Sequence, residues 1–218
     1  MDIDGLRGHL RPFIDLIKES GSEYFWIASG AIRDYFTTGG VTPKDIDIFF
    51  PDKDERDKAH NFLIDKKFKI LKILPRRQGI KFDLEPGTVP EEYSHLSRGS
   101  KYSYFSMDVG CWDGKDNVRG RYASTPQECV SWFDFTIEMA ALDSKNEFSC
   151  HPDFEYHIKN KILVRNSIQD AFPRGNNRRL LKYIKLGFTI DQSNLQTWLE
   201  DQEATFEYRC QNNKKAHK

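Results

Sequence analysis

The stretch "SGAIRDYFTTGGVTPKDIDIFF", residues 29–50, places two aspartates inside an apolar run, shortly after a small-residue turn. Side chains alternate along a β-strand, so Asp45 and Asp47 share one face of the predicted strand, whereas Ile46 and Ile48 point to the other. Two residues of rise separate the two aspartate Cα atoms by about 6.6 Å. Carboxylates at this spacing can converge on a pair of divalent cations, an arrangement used in phosphoryl and nucleotidyl transfer.

The segment upstream of these aspartates predicts a phosphate-binding turn. The apolar run "YFWIAS" is typical of a short buried strand, and it ends at Ser29-Gly30, where the short helix "AIRDYFT" follows. Backbone N–H groups at a helix N-terminus bind anionic phosphate. Gly30 allows a close approach, Ser29 offers a hydroxyl, and Arg33 lies within one helical turn as a phosphate partner. Neither GxGxxG nor GxxxxGK[ST] occurs, which argues against a dinucleotide-binding fold and a P-loop.

Composition limits the class of protein. The 218 residues suffice for one large or two small domains, and 33 basic residues balance 33 acidic ones. A neutral chain does not favour nucleic-acid binding through a broad basic face, although a local groove is compatible with it. The N-terminal "MDIDGLRGHLRPF" lacks the apolar core of a signal peptide, and no stretch approaches the roughly 18 apolar residues of a membrane span. We therefore expect a cytoplasmic protein without a membrane partner.

Cysteine usage indicates free thiols in a reducing compartment. The four cysteines are scattered along the chain without a CxxC motif. A zinc site formed by Cys150, His151 and His157 lacks a recognisable ligand spacing. The cysteines therefore predict neither a disulfide framework nor a metal centre.

The remaining pattern mixes helices with strands and predicts an α+β fold. Residues 4–20 have helical hydrophobic spacing, and "DKDERDKAHNFLIDKK" is an amphipathic helix. Thr125, Pro126 and Glu128 form the start signal of a further helix. Beyond about residue 151 the pattern is helical and more basic. The predicted strands, in addition to the two above, are "FKILKIL", "GIKFDLE" and "YSYFSMDVGCW".

Three sequence blocks together resemble one protein superfamily. Residues 29–50 resemble the GGxVRDxLLG…DxDI signature of the DNA polymerase beta-type nucleotidyltransferases, nearest to the head domain of CCA-adding enzymes and bacterial poly(A) polymerases. "FDFTIEMAALD", residues 133–143, resembles their RRDFTINAxA block, and "RRLLKYIKLGF", residues 178–188, resembles RxLRAxRFAxxLGF. The resemblance implies a polymerase beta-like mixed sheet flanked by helices, as in small stand-alone members from bacteria and phages.

The resemblance also implies roles for individual residues. Asp45 and Asp47 would ligate two Mg²⁺ (or Mn²⁺) ions. An NTP would be the substrate, with its triphosphate at the Ser29-Gly30 turn and its ribose near Asp134. The candidate nucleotide-binding residues are Ser29, Gly30, Arg33, Asp34, Asp134, Arg178 and Arg179.

A third carboxylate on a neighbouring strand completes the catalytic metal site in the superfamily. Asp83 in "KFDLE" and Asp108 in "SMDVG" are the two candidates. In the relatives this residue lies on the last strand before the DFT block, which favours Asp108. The predicted face of Asp83 also carries Lys81 and Glu85, a pattern that suits a solvated hairpin.

The chain departs from its relatives in two motifs that contact the nucleotide's base and ribose. Trp132-Phe133 replaces the arginine pair before DFT, and "FPRGNNRR" lacks the acidic pair of the EDxxR motif. Arg178 and Arg179 therefore have two interpretations, a nucleotide contact or a solvated helix face. About thirty residues follow the last block, fewer than the helical body and tail that grip tRNA in CCA-adding enzymes.

Two further features bear on an acceptor. An aromatic cluster, Tyr93, Tyr102, Tyr104 and Phe105, could stack a base, although packing within the fold is the favoured interpretation. The arginines of "PRRQ", residues 75–78, belong to a predicted hairpin turn and could meet an acceptor's phosphates.

These observations predict a metal-dependent nucleotidyltransferase. It would move a nucleoside monophosphate from an NTP to an acceptor hydroxyl on an RNA 3′ end (favoured, and tRNA-like), a protein or a small molecule. The rival interpretation is a nucleotide-binding or interaction module that kept the fold and lost turnover. We expect a head domain at residues 1–150, a helical cap at 151–209 and a disordered tail at 210–218.

Overall fold

The computed structural model describes residues 1–39, 45–74, 79–97, 104–109, 123–166 and 173–192. Short 3₁₀ turns at Glu91–Leu96 and Thr136–Glu138 connect some of the longer elements. The helices are α1 (Ile3–Glu19), α2 (Gly30–Thr38), α3 (Lys53–Asp65), α4 (Pro126–Ser131), α5 (Phe154–Asn160) and α6 (Pro173–Lys185). The strands are β1 (Trp26–Ala28), β2 (Asp45–Phe50), β3 (Ile70–Leu74), β4 (Gly79–Asp83), β5 (Tyr104–Val109), β6 (Ala140–Asp143), β7 (Phe148–Cys150), β8 (Ile162–Leu163) and β9 (Thr189–Ile190).

A seven-stranded mixed sheet forms the centre of the fold, in the order β3-β4-β5-β2-β1-β6-β7. β2 and β5 run parallel, and the other neighbouring strands of this sheet are antiparallel. β8 and β9 form a separate parallel pair. The arrangement confirms the predicted α+β class, with a mixed sheet flanked by helices.

One face of the sheet carries the main hydrophobic core. The helix α1 packs on this face, and Asp2 begins it by accepting a hydrogen bond from Gly5 N at 2.9 Å. The apolar residues of α1 recur at helical spacing, so they form one buried stripe. That stripe consists of Leu6, Leu10, Phe13, Ile14, Leu16 and Ile17, and its partners on the strands include Ile27, Ile46, Ile48, Phe105 and Met107.

The opposite face of the sheet has a second, smaller core over β1 and β6. The helix α4 packs there, and Thr125 begins it by accepting a hydrogen bond from Glu128 N at 3.2 Å, as the start signal predicted. The buried members of the smaller core are Trp26, Ala28, Phe49, Ala123, Cys129, Val130, Met139 and Ala141.

The C-terminal part differs from the helical pattern predicted beyond residue 151. It contains α5 and α6, but also the strands β8 and β9, each two residues long. Strands this short show no alternation in the sequence, which is why periodicity missed them. The predicted tail, residues 210–218, lies outside the described part of the chain. Within that part, no helix is both long and apolar enough to cross a membrane.

Phe105 is the residue whose loss should damage this core most clearly. It is fully buried, its ring stacks on Phe82 with centroids 5.2 Å apart, and the edges of Phe13 and Phe68 pack against it. We expect Phe105→Ala to lower the free energy of unfolding by about 3–5 kcal/mol because it opens a cavity. Urea denaturation followed by circular dichroism measures the change. Ile73→Ala, at an exposed position, is the control and should cost less than about 0.5 kcal/mol. A loss below about 1 kcal/mol in Phe105→Ala would contradict this packing.

Candidate functional site

The paired aspartates lie on the face of β2 that the alternation predicted. Asp45 and Asp47 are half-buried, whereas Ile46 and Ile48 between and beyond them are fully buried in the main core. The strand is central, with β1 on one side and β5 on the other. The two carboxylates are therefore held on a rigid strand at the sheet surface, where they remain accessible.

Hydroxyl groups from β5 hold both carboxylates. Ser106 is opposite Asp47 in the parallel register, and its Oγ donates a hydrogen bond to Asp47 Oδ1. Tyr104 is opposite Asp45, and its hydroxyl donates to Asp45 Oδ2 at 3.0 Å. Lys81 Nζ lies 4.1 Å from the centre of the Tyr104 ring. These donors orient the carboxylates before any ligand arrives.

The Ser29-Gly30 turn lies beside the same carboxylates. Ala28 is opposite Asp47 in the antiparallel pair of β1 and β2, so the next residues of the chain pass the start of β2. Ser29 has φ 64°, which few residues other than glycine adopt, and its N–H donates to Ala140 O at 3.1 Å. The Ser29 side chain does not cap α2. Strained backbone of this kind concentrates at functional sites.

Arg33 does not lie at the surface of this turn. It is buried, and Nε donates to Asp34 Oδ1 at 2.7 Å while Nη1 donates to Glu138 Oε1 at 3.3 Å and to the Tyr183 hydroxyl at 2.8 Å. Burial disfavours the charged guanidinium, but Tyr183 and the two carboxylates outweigh it and raise the pKa of Arg33. In this structure Arg33 joins α2 to the Thr136–Glu138 turn and to α6.

A second ion pair joins the DFT segment to α6. Asp134 is buried, and Arg179 Nη1 donates a hydrogen bond to Asp134 Oδ2. Burial raises the pKa of Asp134, and the charge of Arg179 opposes that shift. The structure thus brings together two of the predicted nucleotide-binding residues. The side chain of Arg178 lies outside the described residues.

Lys182, Tyr183 and Glu138 belong to this site although the sequence analysis did not select them. The pKa of Lys182 is lowered by partial burial and by the charge of Arg33, against the opposing influence of the carboxylates around it, which include Asp45. Lys182 and Tyr183 follow Arg179 by three and four residues and therefore share its helix face. Helical spacing alone would have pointed to these two residues. Glu138 stands where the related block has Asn, a substitution visible in the sequence.

The family of the chain follows from its sequence profile. The profile described as "Gad2: Gabija anti-defense 2 family protein" matches residues 6–161, more than half of the chain. The chain belongs to the Gabija anti-defense 2 family. A curated member from Bacillus phage SPbetaL7, named Gabija anti-defense 2, is 37% identical over 76 residues, which cover 34% of this chain and 19% of that protein.

Solved structures similar to this Gabija anti-defense 2 family protein are CCA-adding enzymes. The Thermotoga maritima enzyme complexed with tRNA has a TM-score of 0.62 at 14% identity and covers 92% of this chain. The Bacillus stearothermophilus enzyme in complex with CTP has a TM-score of 0.57 at 15% identity and covers 84%. This chain spans less than half of either enzyme, 43% and 41% respectively. The likeness confirms the predicted fold.

The two candidates for a third carboxylate occupy different positions in this family member. The expectation that Asp83 is solvated is wrong. Asp83 is buried, Lys69 Nζ donates to it at 3.0 Å and Glu85 N donates at 3.0 Å. Burial tends to raise the pKa of Asp83, but these donors outweigh it and lower that pKa. The carboxylate is therefore occupied by its own neighbours.

The backbone of Asp108 lies on β5, beside the strand that carries the paired aspartates. Asp108 is opposite Phe49 in the register, so it shares their sheet face, one row beyond Ser106 and Asp47. Its side chain lies outside the described residues. Within the described part of the chain, no group of three or more His, Cys, Asp or Glu side chains is placed to hold a metal ion.

The Tyr104 hydroxyl provides a test of this geometry by titration. Burial, the charge of Asp45 and the hydrogen bond to it raise the pKa of Tyr104 to about 12. Asp45→Asn should therefore lower the pKa of Tyr104 towards the ordinary value of about 10. Ultraviolet titration of the wild type minus Tyr104→Phe isolates this phenol. The same subtraction, made in the Asp45→Asn background, gives the shifted value.

The same phenol links stability to pH. Between about pH 10 and 12 the unfolded phenol loses its proton while the folded one keeps it, so stability falls as pH rises through this window. Tyr104→Phe should lack that part of the fall. Tyr156→Phe, which removes an exposed phenol, is the control. A Tyr104 difference signal that titrates near pH 10 in the wild type would refute the Tyr104–Asp45 contact.

Proposed function

We propose that the protein transfers a nucleoside monophosphate from an NTP to an acceptor hydroxyl. The observation that carries the proposal is the position of Asp45 and Asp47 on one face of β2, beside the Ser29-Gly30 turn that begins α2. In this reaction the acceptor oxygen forms a bond to the α-phosphorus and gives up its proton, and the bond from the α-phosphorus to the bridging oxygen breaks. Pyrophosphate is the product that leaves.

The N-terminus of α2 is the proposed site of the triphosphate. A helix N-terminus presents free N–H groups and partial positive charge to an anion. A Cβ added at Gly30 would contact only Arg33 Nη2 within 4 Å, at 3.6 Å, so the turn is open to a ligand on this side. The guanidinium of Arg33, behind the turn, is already paired with Asp34 and Glu138, so the helix N-terminus itself is the proposed anion-binding group. Lys182 on α6 is a further cation among the described residues near this turn.

The residues present fit divalent metal ions. Asp45 and Asp47 offer hard oxygen donors from one strand face, which suits Mg²⁺ or Mn²⁺. When bound, such ions activate the attacking hydroxyl and stabilise the pyrophosphate that leaves. Tyr104 and Ser106 would orient the two carboxylates through their hydrogen bonds. Asp134 and Arg179, held together at the edge of the site, would contact the ribose.

A nucleotide-binding or interaction module without turnover is the second candidate. Arg33, which the sequence predicts as a phosphate partner, is occupied inside the protein by Asp34, Glu138 and Tyr183. The family name describes its members as acting against the Gabija defence. Modification of an acceptor and occupation of a surface would both serve that role, so the measurement of transfer decides between them.

Removal of either paired aspartate tests the transferase. We expect Asp45→Ala and Asp47→Ala each to reduce transfer by at least about 10³-fold. Both side chains lie at the sheet surface, so the variants should remain folded. The assay incubates the protein with Mg²⁺, each labelled NTP in turn, and total cellular RNA and protein. Circular dichroism checks folding, and Asp15→Ala on α1, which removes an exposed carboxylate, is the control. Near-normal transfer by either variant would refute the site.

A second experiment separates the two candidates for the third carboxylate. Asp108→Asn should abolish most turnover and leave NTP binding nearly intact, because we propose that Asp108 completes the site beside β2. Asp83→Asn should change kcat/KM by less than about fivefold, since Lys69 already occupies that carboxylate. Calorimetry measures NTP binding, and pyrophosphate release measures turnover. The reverse ranking would assign the third ligand to Asp83.

A further inference from the structure

We infer that the part of the sheet formed by β5, β4 and β3 binds the acceptor, and that the acceptor is a single-stranded nucleic acid held by its phosphates. The surface is the face that carries Asp45 and Asp47, and we call it the lysine track. Its acceptor role rests on the proposed transferase, but its affinity for a phosphodiester strand does not. Two rows of side chains across the strands define it.

The first row runs from a paired aspartate to the edge of the sheet. Asp47 is opposite Ser106, Ser106 is opposite Lys81, and Lys81 is opposite Lys72. Residues that pair directly across neighbouring strands project from the same face. Three strand spacings separate the first residue of the row from the last, which is about 14 Å. Two lysines therefore continue in line from a carboxylate of the proposed active site.

The second row contributes an aromatic ring. It runs from Asp45 through Tyr104 to Asp83, whose carboxylate is paired with Lys69 at 3.0 Å. The positive charge that remains on the track belongs to Lys72, which is exposed, and Lys81, which is half-buried over the Tyr104 ring. Among the described residues, no carboxylate lies within ion-pair distance of either ammonium group.

The position of the track separates it from the proposed triphosphate site. On the other side of β2, the sheet face over β1 and β6 is covered by α4, with Trp26 and Phe49 buried beneath it. The N-terminus of α2 lies on that side as well, after β1. A nucleic-acid strand that brings its terminal hydroxyl towards Asp47 along the described surface therefore passes over β5, β4 and β3.

Charge complementarity selects the kind of acceptor. The whole chain has no net charge, so a broad basic face does not attract nucleic acid, but two adjacent lysines with an aromatic ring form a local site. A nucleic-acid strand carries a phosphate at every nucleotide, so successive phosphates can pair with Lys81 and Lys72 along a line that leads to Asp47. An acidic protein is the alternative acceptor, and transfer of label to protein is the outcome that would show it.

The test measures binding without turnover. A fluorescent single-stranded RNA oligonucleotide, and a DNA oligonucleotide of the same sequence, are titrated with the full chain in the absence of NTP and metal. The double variant Lys72→Gln/Lys81→Gln should weaken binding at least tenfold at low salt. For this double variant, the slope of log K against log salt concentration should be shallower than that of the wild type by about 1.4. Each of the two lost phosphate contacts contributes about 0.7 to that slope. The comparison of RNA with DNA shows which strand is preferred.

The control variant removes one positive charge from the other side of the protein. Lys18→Gln changes an exposed lysine of α1, on the opposite face of the sheet, and should bind both oligonucleotides as the wild type does. Equal affinity of the double variant and the wild type for both oligonucleotides would overturn the inference. Transfer of label to protein without any nucleic acid, if the double variant retained it, would also overturn the inference.

The results distinguish this inference from the proposed function. If the lysine variants lose oligonucleotide binding while no NTP is consumed by the wild type, the track stands as a nucleic-acid site and the transferase fails. If the wild type consumes NTP and the double variant both binds and transfers normally, the transferase stands and the track fails.

Discussion

The buried guanidinium of Arg33 is the constraint on which the arrangement of the site depends. A charge taken out of water must be compensated by groups that approach it closely. Asp34, Glu138 and Tyr183 provide that compensation, and they come from α2, from the turn after the DFT segment and from α6. Residues as distant as 33 and 183 are thereby held at one point. The three sequence blocks that resemble the nucleotidyltransferases are the segments that meet there.

The network fixes how α2 sits on the sheet. β1 pairs with β2 so that Ala28 is opposite Asp47, and Ser29 then turns the chain into the helix with a positive φ. Arg33 anchors the same helix one turn later. The helix N-terminus and the carboxylates are therefore placed together by two rigid connections, the strand register and the buried ion pairs. Such preorganisation is what the proposed triphosphate site would require.

The two faces of the sheet explain the polar residues of β5 and β4. The face covered by α1 is apolar, and most of its side chains are buried in the main core. On the other face, α4 covers the β1 and β6 side, and apolar residues occupy that region. Across β5, β4 and β3 the same face carries Ser106, Lys81 and Lys72, in line with Asp47. Ser106 is buried and bonded to Asp47, so solvation explains only Lys81 and Lys72, and the alignment of these two lysines with a carboxylate gives the surface a direction.

The sequence by itself determined what depends on residues close together in the chain. The alternation of Asp45 and Asp47 with buried isoleucines, the start of α4 at Thr125 and the order of the three blocks were all readable, because strand pleating and helix capping act within a few residues. The resemblance of the blocks then predicted the mixed sheet. The two-residue strands β8 and β9 were not readable, since they are too short to show a period.

Only the tertiary structure decided which distant groups meet. Arg33 has the same local sequence whether it faces a phosphate or turns inward, and the carboxylate of Glu138, 105 residues away, is what draws it inside. Asp83 was expected in solvent, but Lys69, the residue just before β3, pairs with its carboxylate and allows it to be buried. Tyr104 met Asp45 only because β5 lies parallel to β2. Charges and hydrogen-bond donors have no periodic signature, so their partners are fixed by the fold that brings remote strands and helices into contact.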